Sequence, residues 1–182
     1  VANVTNKTYS FTMISQTDFD IRQFIPYLLS QAAEESSLGF QRIYKDRYGM
    51  LRGEWRVLFH LGIYDKMTAK DITDRARIHK TNVSRAVHKM QAIGYLTRVR
   101  DQHDRRKEWL QLTTQGRTVY EDLRRAAQAY DNALLEAFSD TDIAGLKSLL
   151  LRLGDSSLKD RLDQNSIDTL GKSNVLTKSR SS

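Results

Sequence analysis

The chain has 182 residues, 40% of them hydrophobic and none of them cysteine, with a formal net charge of +7. That length suits one globular domain, or one domain with dimerising extensions, and the lack of cysteine excludes disulfides, thiolate metal sites and thiol redox sensing. No stretch nears the roughly 18 to 20 apolar residues of a membrane span and the opening "VANVTNKTYSFTMIS" has no run of signal-peptide length, so a cytoplasmic protein is expected.

A single proline, nine glycines and many Leu, Ala, Gln, Glu and Arg residues favour helix over sheet. Charge is unevenly placed: residues 69–107 hold eleven basic side chains against four acidic ones, so the whole +7 excess falls there and the rest of the chain balances. A basic run is either a solvated face or a site for a polyanion, and the order of residues within it decides which.

Residues 1–17 are expected to form a flexible arm, followed by an N-terminal dimerisation helix region over 18–52. In "FDIRQFIPYLLSQAAEESSLGFQRIYKDRYG", Ile21, Phe24, Ile25 and Leu28 keep helical spacing, and Ala32, Phe40, Ile43 and Tyr44 continue the apolar face. Pro26 lacks the N–H that a helix interior needs and so marks a first turn or a kink. "EWRVLFHLGIYD" supplies a further short helix with Trp55, Leu58 and Leu61 as core candidates.

"MTAKDITDRARIHKTNVSRAVHKMQAIGYL" reads as two short helices and a stop. Thr68 followed by Asp71 fits a capping box, so a helix starts at Ala69. A second starts near Lys80 or Thr81, with Val83, Ala86, Val87 and Met90 as its buried stripe and Gly94 as its left-handed stop. Its other face carries Lys80, Thr81, Ser84, Arg85, His88 and Lys89. This is the layout of a helix-turn-helix whose second helix enters the major groove of double-stranded DNA. Arg and Lys donate to guanine or phosphate, Asn82 suits adenine, and Thr81 and Ser84 suit phosphate or thymine. The expected DNA contacts on this helix are therefore Lys80, Thr81, Asn82, Ser84, Arg85 and Lys89; an ordinary amphipathic surface helix is the alternative.

Leu96–Arg100 and Trp109–Thr113 read as a hairpin with its tip at 101–107. A hairpin after a recognition helix is a wing, and Arg105 and Arg106 at its tip suit the adjacent minor groove. Asp104 is expected to pair with Arg106 across the turn and orient it. The winged domain thus covers 53–113. Over 114–162 come C-terminal dimerisation helices: "TTQGRTVYEDLRRAAQAYDNALLEAF" aligns Val119, Leu123, Ala126, Ala127 and Tyr130, and a second capping match, Ser139 with Asp142, opens a helix bearing Leu146, Leu149, Leu150 and Leu153. These helices carry more apolar surface than one small winged domain can cover, which implies a homodimer. Residues 163–182 form a polar tail, expected to be partly disordered or to make dimer arms. The expected fold is mainly α with a small β wing, a winged helix-turn-helix flanked by dimerisation helices.

At this point the residues resemble a known family. "DQHDRRKEWLQLTTQG" is similar to the wing signature of the MarR (multiple antibiotic resistance regulator) family, through Asp101, Asp104, Arg105, Arg106, Leu112, Thr113 and Gly116, and "TNVSRAVHKMQAIGYL" resembles its recognition helix. After Asp101, where the family often has proline and arginine, this chain has Gln102 and His103. The similarity runs over roughly residues 20 to 160. It implies a dimeric transcriptional regulator, here read as a repressor, that sets two winged domains on the half-sites of a pseudo-palindromic operator.

The resemblance also implies a small-molecule effector, often an anionic aromatic or phenolic compound, bound between dimer helices and winged domain. Arg22, Tyr27, Trp55, Arg56 and His60 suit such a ligand, a guanidinium for the carboxylate and aromatic walls for the ring. Each has a structural alternative: Trp55 in the core, Arg56 in an ion pair, His60 as a satisfied, partly buried imidazole. Nothing points to an enzyme, a cofactor or a metal: His60, His79, His88 and His103 lack zinc spacing, and no GxSxG or P-loop sequence occurs. The remaining alternatives are a sequence-indifferent architectural DNA binder and a winged domain used for protein contacts.

Overall fold

The computed structural model describes residues 19–104 and 106–155, together with positions 157, 160 and 163. The expected arm at 1–17, nearly all of the expected tail at 163–182, and Arg105 lie outside the described residues. The chain divides into two units, one ending at Ala127 and the other beginning at Gln128.

The first unit opens with a single 3-10 turn, Ile21–Gln23, capped by the Asp20 carboxylate, which accepts the Arg22 backbone N–H at 2.9 Å. Phe24 is extended, and α1 runs over Ile25–Tyr48 with Pro26 in its first turn, where no backbone N–H is required. The apolar stripe expected to start at Ile21 is therefore broken at Phe24. Ile21, Phe24, Ile25 and Leu28 all stand exposed, whereas Phe40 and Tyr44 further along are buried.

α2 covers Arg52–Tyr64, α3 Ala69–Ala76 and α4 Lys80–Ala92. Their inward faces supply Val57, Leu58, Leu61, Ile72, Val83, Val87 and Met90, each nearly inaccessible to water. Burying a side chain of that size contributes about 1.5–3 kcal/mol, so this three-helix contact is the main source of the unit's cohesion. Leu96 and Leu110 close the core from the sheet.

The sheet has three antiparallel strands, β1 (Lys66–Met67), β2 (Leu96–Arg100) and β3 (Glu108–Leu112), with β3 in the middle. β2 and β3 form the expected hairpin, paired from Leu96 with Leu112 to Arg100 with Glu108. β1 was not expected: Lys66 pairs with Gln111 and Met67 with Leu110, and two residues are too few to show an alternating pattern.

An aromatic cluster ties α1 to α2 and to α5 (Thr114–Leu135): Phe40 meets Trp55, Trp55 meets Phe59 and Phe59 meets Tyr120, all edge to face at 5.3–5.5 Å. Rings in this geometry gain about 0.5–1.5 kcal/mol beyond area burial. The junction into α5 is close-fitted. A Cβ on Gly116 would overlap the Tyr95 carbonyl, so only glycine lets α5 start there. Thr113 spans the same point, its hydroxyl donating to the Gly94 carbonyl at 2.6 Å and accepting the Gly116 N–H at 3.0 Å.

In the second unit, α6 (Asp140–Leu153) starts as expected, with Ser139 accepting the Asp142 N–H at 3.2 Å. Its Leu146, Leu149, Leu150, Leu151 and Leu153 are all exposed. No helix among the described residues is long and apolar enough to cross a membrane.

Candidate nucleic-acid interface

Local hydrogen bonding sets up the helix pair. Thr68 accepts the Asp71 N–H at 3.1 Å and Asp71 accepts the Thr68 N–H at 2.9 Å, the reciprocal box that the spacing predicts. These bonds from Thr68 hold the Asp71 carboxyl below its ordinary value, side-chain bond first. α3 ends at Arg77 in the left-handed region, and His79 opens α4 by accepting the Thr81 N–H on Nδ1 at 3.3 Å.

With Val83, Ala86, Val87 and Met90 buried, helical geometry turns Lys80, Thr81, Asn82, Ser84, Arg85 and His88 outward, and all six are exposed. Lys89, on the same stripe, has protein partners as well. Its ammonium donates to the Gly49 carbonyl and to the Glu54 carboxylate, both at 2.9 Å, while the Lys89 side chain stays 43% exposed. Glu54, 5% exposed, is the buried charged residue of the described chain.

Beside this face stands the wing. At its tip the Asp101 N–H donates to the Lys107 carbonyl and the Lys107 N–H to the Asp104 carbonyl, both at 2.9 Å. The Asp101 carboxylate organises the turn from within: Oδ1 accepts the backbone N–H groups of His103 at 2.9 Å and Asp104 at 3.1 Å, and Oδ2 accepts the Trp109 indole N–H at 2.7 Å. The indole bond first, then the two backbone bonds, hold this carboxyl down to about 2. Asp104 does contact Arg106, but through the backbone N–H, at 3.0 Å, in place of the side-chain pair expected. The Arg106 side chain is left exposed.

Trp109 also lies between two ammonium groups, Lys66 at 4.8 Å and Lys107 at 4.2 Å from its ring centre, which fastens the wing to β1. Arg98 is bound to Gln91 and Glu108, each at 2.9 Å. The sequence reading missed Glu54 altogether and named Asp101 only as part of a family pattern. The sign for Asp101 was its place at the start of a polar turn, where an aspartate accepts backbone N–H groups two and three residues on.

Of the residues expected to hold an effector, one borders a cleft of the winged unit. A cleft of about 400 Å³ between the start of α2 and α4 is lined by Arg52, Arg56, Arg77, Asn82 and Arg85 over apolar Leu51, Ile78 and Ala86, and of the five candidates only Arg56 borders it. Trp55 belongs to the aromatic cluster, with the Arg56 guanidinium 5.9 Å from its ring centre. His60 stacks on Tyr64, and its buried Nδ1 has no hydrogen-bond partner. Burial, then the charges of Arg75 and Arg56, push its pKa down, which favours the neutral imidazole. Arg22 is exposed and pairs with Asp20 at 2.9 Å, and Tyr27 is partly exposed on α1.

A family model described as MarR family matches residues 48–107. Among solved structures, a MarR family transcriptional regulator of Silicibacter pomeroyi DSS-3 is 32% identical, with a TM-score of 0.65 over 76% of this chain and 100% of its own. BpsR of Bordetella bronchiseptica, a protein whose DNA binding is regulated by 6-hydroxynicotinic acid, shares the fold at 20% identity and a TM-score of 0.70, over 76% of this chain and 99% of its own. The HTH-type transcriptional regulator BilQ of Clostridioides difficile (strain CD3) is 21% identical over 127 residues, 69% of this chain and 85% of that protein.

Proposed function

Because this chain belongs to the MarR family of transcriptional regulators, we propose that it is a homodimeric repressor that reads a pseudo-palindromic operator with α4 and the wing. The observation that carries this is the outward face of α4, where Lys80, Thr81, Asn82, Ser84 and Arg85 stand exposed on a helix fixed by four buried residues. Asn82 and Arg85 suit base edges, while Lys80, Thr81, Ser84 and Arg106, with Arg105 beside it in the chain, suit phosphate or the minor groove. Asp101 takes the wing-organising role together with Asp104. Lys89 is assigned first to the fold, because two of its three N–H donors are bonded to Gly49 and Glu54.

The dimer is supported by apolar side chains that each unit leaves in water: Phe24, Ile25 and Leu28 in the first, Leu149, Leu150 and Leu153 in the second. Exposed leucines and isoleucines at this density mark contact surfaces. We assign dimerisation to the regions 18–52 and 114–162 and DNA binding to 53–113.

For control, the proposed effector is a small aromatic acid, the chemistry named for BpsR. Arg56 is the best-supported of the candidates, since it borders a cleft shared with Asn82 and Arg85, where a bound anion would sit beside the reading helix. An effector that prefers a dimer misspaced for the operator weakens operator binding by the same factor.

The test is fluorescence anisotropy of the full chain on the duplex it enriches from a random-sequence pool, against a scrambled duplex, at near-physiological salt. A preference of about a thousandfold or more, saturating at one dimer per site, is expected. Equal affinity for both duplexes would replace the regulator with an architectural binder, and no binding to either would turn the winged domain toward protein contacts.

A further inference from the structure

Lys89, on the α4 polar stripe, is half-exposed, yet its ammonium bonds to two other elements, so that three elements meet there. The Gly49 carbonyl comes from the end of α1, the Glu54 carboxylate from the first turn of α2, and Lys89 itself from the last turn of α4. Both acceptors are held in place independently. Glu54 also accepts the Leu51 N–H at 2.9 Å and so caps α2. Gly49 takes the left-handed conformation, φ 60°, that ends α1, and its own N–H is bonded back to Lys45 at 2.8 Å.

We propose that Glu54 and Lys89 form a latch that sets the angle of the recognition helix, making Glu54 a positioning residue for DNA sequence preference although it is buried and touches no DNA. This rests on the regulator reading above. Apolar packing of Val83, Ala86, Val87 and Met90 holds α4 against the core but is non-directional, so it tolerates small rotations of the helix about its axis. Two short charge-assisted bonds from one ammonium to fixed acceptors do not. The Glu54 side chain is 7% exposed and its carboxylate loses its compensating cation if the latch opens, which favours the closed arrangement. Arg85 lies one helical turn before Lys89, so a rotation at the latch displaces the side chains that face bases.

A latch and a phosphate contact predict different behaviour on replacing Lys89. The wild type, K89M, E54Q and the double variant are compared by anisotropy on the duplex that the wild type enriches from a random pool, and on poly(dI-dC), across a salt series. As a latch, K89M loses about tenfold of its preference for the enriched duplex, the scale of one misplaced base contact. Affinity for poly(dI-dC) and the salt slope stay at wild-type values. E54Q, whose amide oxygen still accepts the Leu51 N–H but offers Lys89 no charge, shows a smaller loss of the same kind, and the double variant is no worse than K89M. Equal weakening on both duplexes with the salt slope reduced by about 0.9 makes Lys89 a phosphate contact and overturns the latch. Unchanged preference in E54Q also overturns it, even where K89M does not fold. A wild type that enriches nothing removes the regulator reading itself, and the latch with it.

Discussion

Trp109 on β3 and Asp101 at the start of the wing tip are joined by a 2.7 Å bond from the indole N–H to the carboxylate. The same carboxylate gathers two backbone N–H groups of the turn, so one side chain holds the tip that bears Arg106 closed and ties it to β3.

Replacing Trp109 with Phe removes the indole donor and keeps the ring. DNA affinity should fall about tenfold, the cost of presenting Arg106 from a loosened tip, while thermal unfolding monitored by circular dichroism moves little. Asp101→Ala should do the same. The carboxyl has its ordinary value of 3.8 lowered to about 2, so its ordering of the tip is complete above 3.8 and fades as pH falls through 2. Trp109 emission in a Trp55→Phe background, titrated from pH 5 down to about pH 1, reads this directly. A flat titration would show that the carboxylate does not hold the indole.

Arg106→Ala and Asn82→Ala should fail in different ways. Loss of the exposed Arg106 weakens binding to all sequences and lowers the salt slope by about 0.9. Loss of Asn82 costs about 1–3 kcal/mol on the preferred duplex and relaxes selection at one position, with the slope unchanged. Parallel salt series on preferred and scrambled duplexes separate the two.

Gly116→Ala should destabilise the winged unit by about 1–3 kcal/mol or more, because the new methyl meets the Tyr95 carbonyl, a main-chain group that cannot swing aside. Urea denaturation at fixed protein concentration measures the loss.

Charge placed on α6 should act on association. Leu150→Lys puts an ammonium among exposed leucines and is expected to raise the dimer dissociation constant at least tenfold, while each monomer keeps its helix content. Sedimentation equilibrium reports the first and far-ultraviolet circular dichroism the second. A dimer of unchanged strength would place the interface elsewhere.

Which features were legible in the sequence follows from how far apart the interacting residues lie. The starts of α3 and α6 were, since Thr68 with Asp71 and Ser139 with Asp142 interact within one turn. The buried stripe of α4 was too, because helical periodicity fixes where each Cβ points. Periodicity does not fix where a long side chain ends. Lys89 sits on the polar side by spacing, yet its four-carbon stem carries the charge to a carboxylate 35 positions earlier in the chain. Asp101 was obscured for a similar reason: its strongest partner, Trp109, is across a turn, and Asp104 stood nearer to Arg106 in sequence. The Ile21–Leu28 stripe was overextended because period alone does not register the break that Pro26 and the Asp20 cap impose. For the effector, residue chemistry named five candidates, but only the packing of α2 shows Trp55 and His60 on separate contacts.

The Thr113 hydroxyl, bonded to Gly94 and Gly116, joins the end of α4, the end of β3 and the start of α5 at a single oxygen. One residue more or fewer between Leu112 and Gly116 would move that oxygen off both partners and drive α5 against the Tyr95 carbonyl. The wing tip at 101–107 is closed by bonds largely to itself. Over a lineage, insertions and deletions should therefore accumulate in the tip and be purged at the junction, so that the reach of the wing drifts while its mounting stays constant in length.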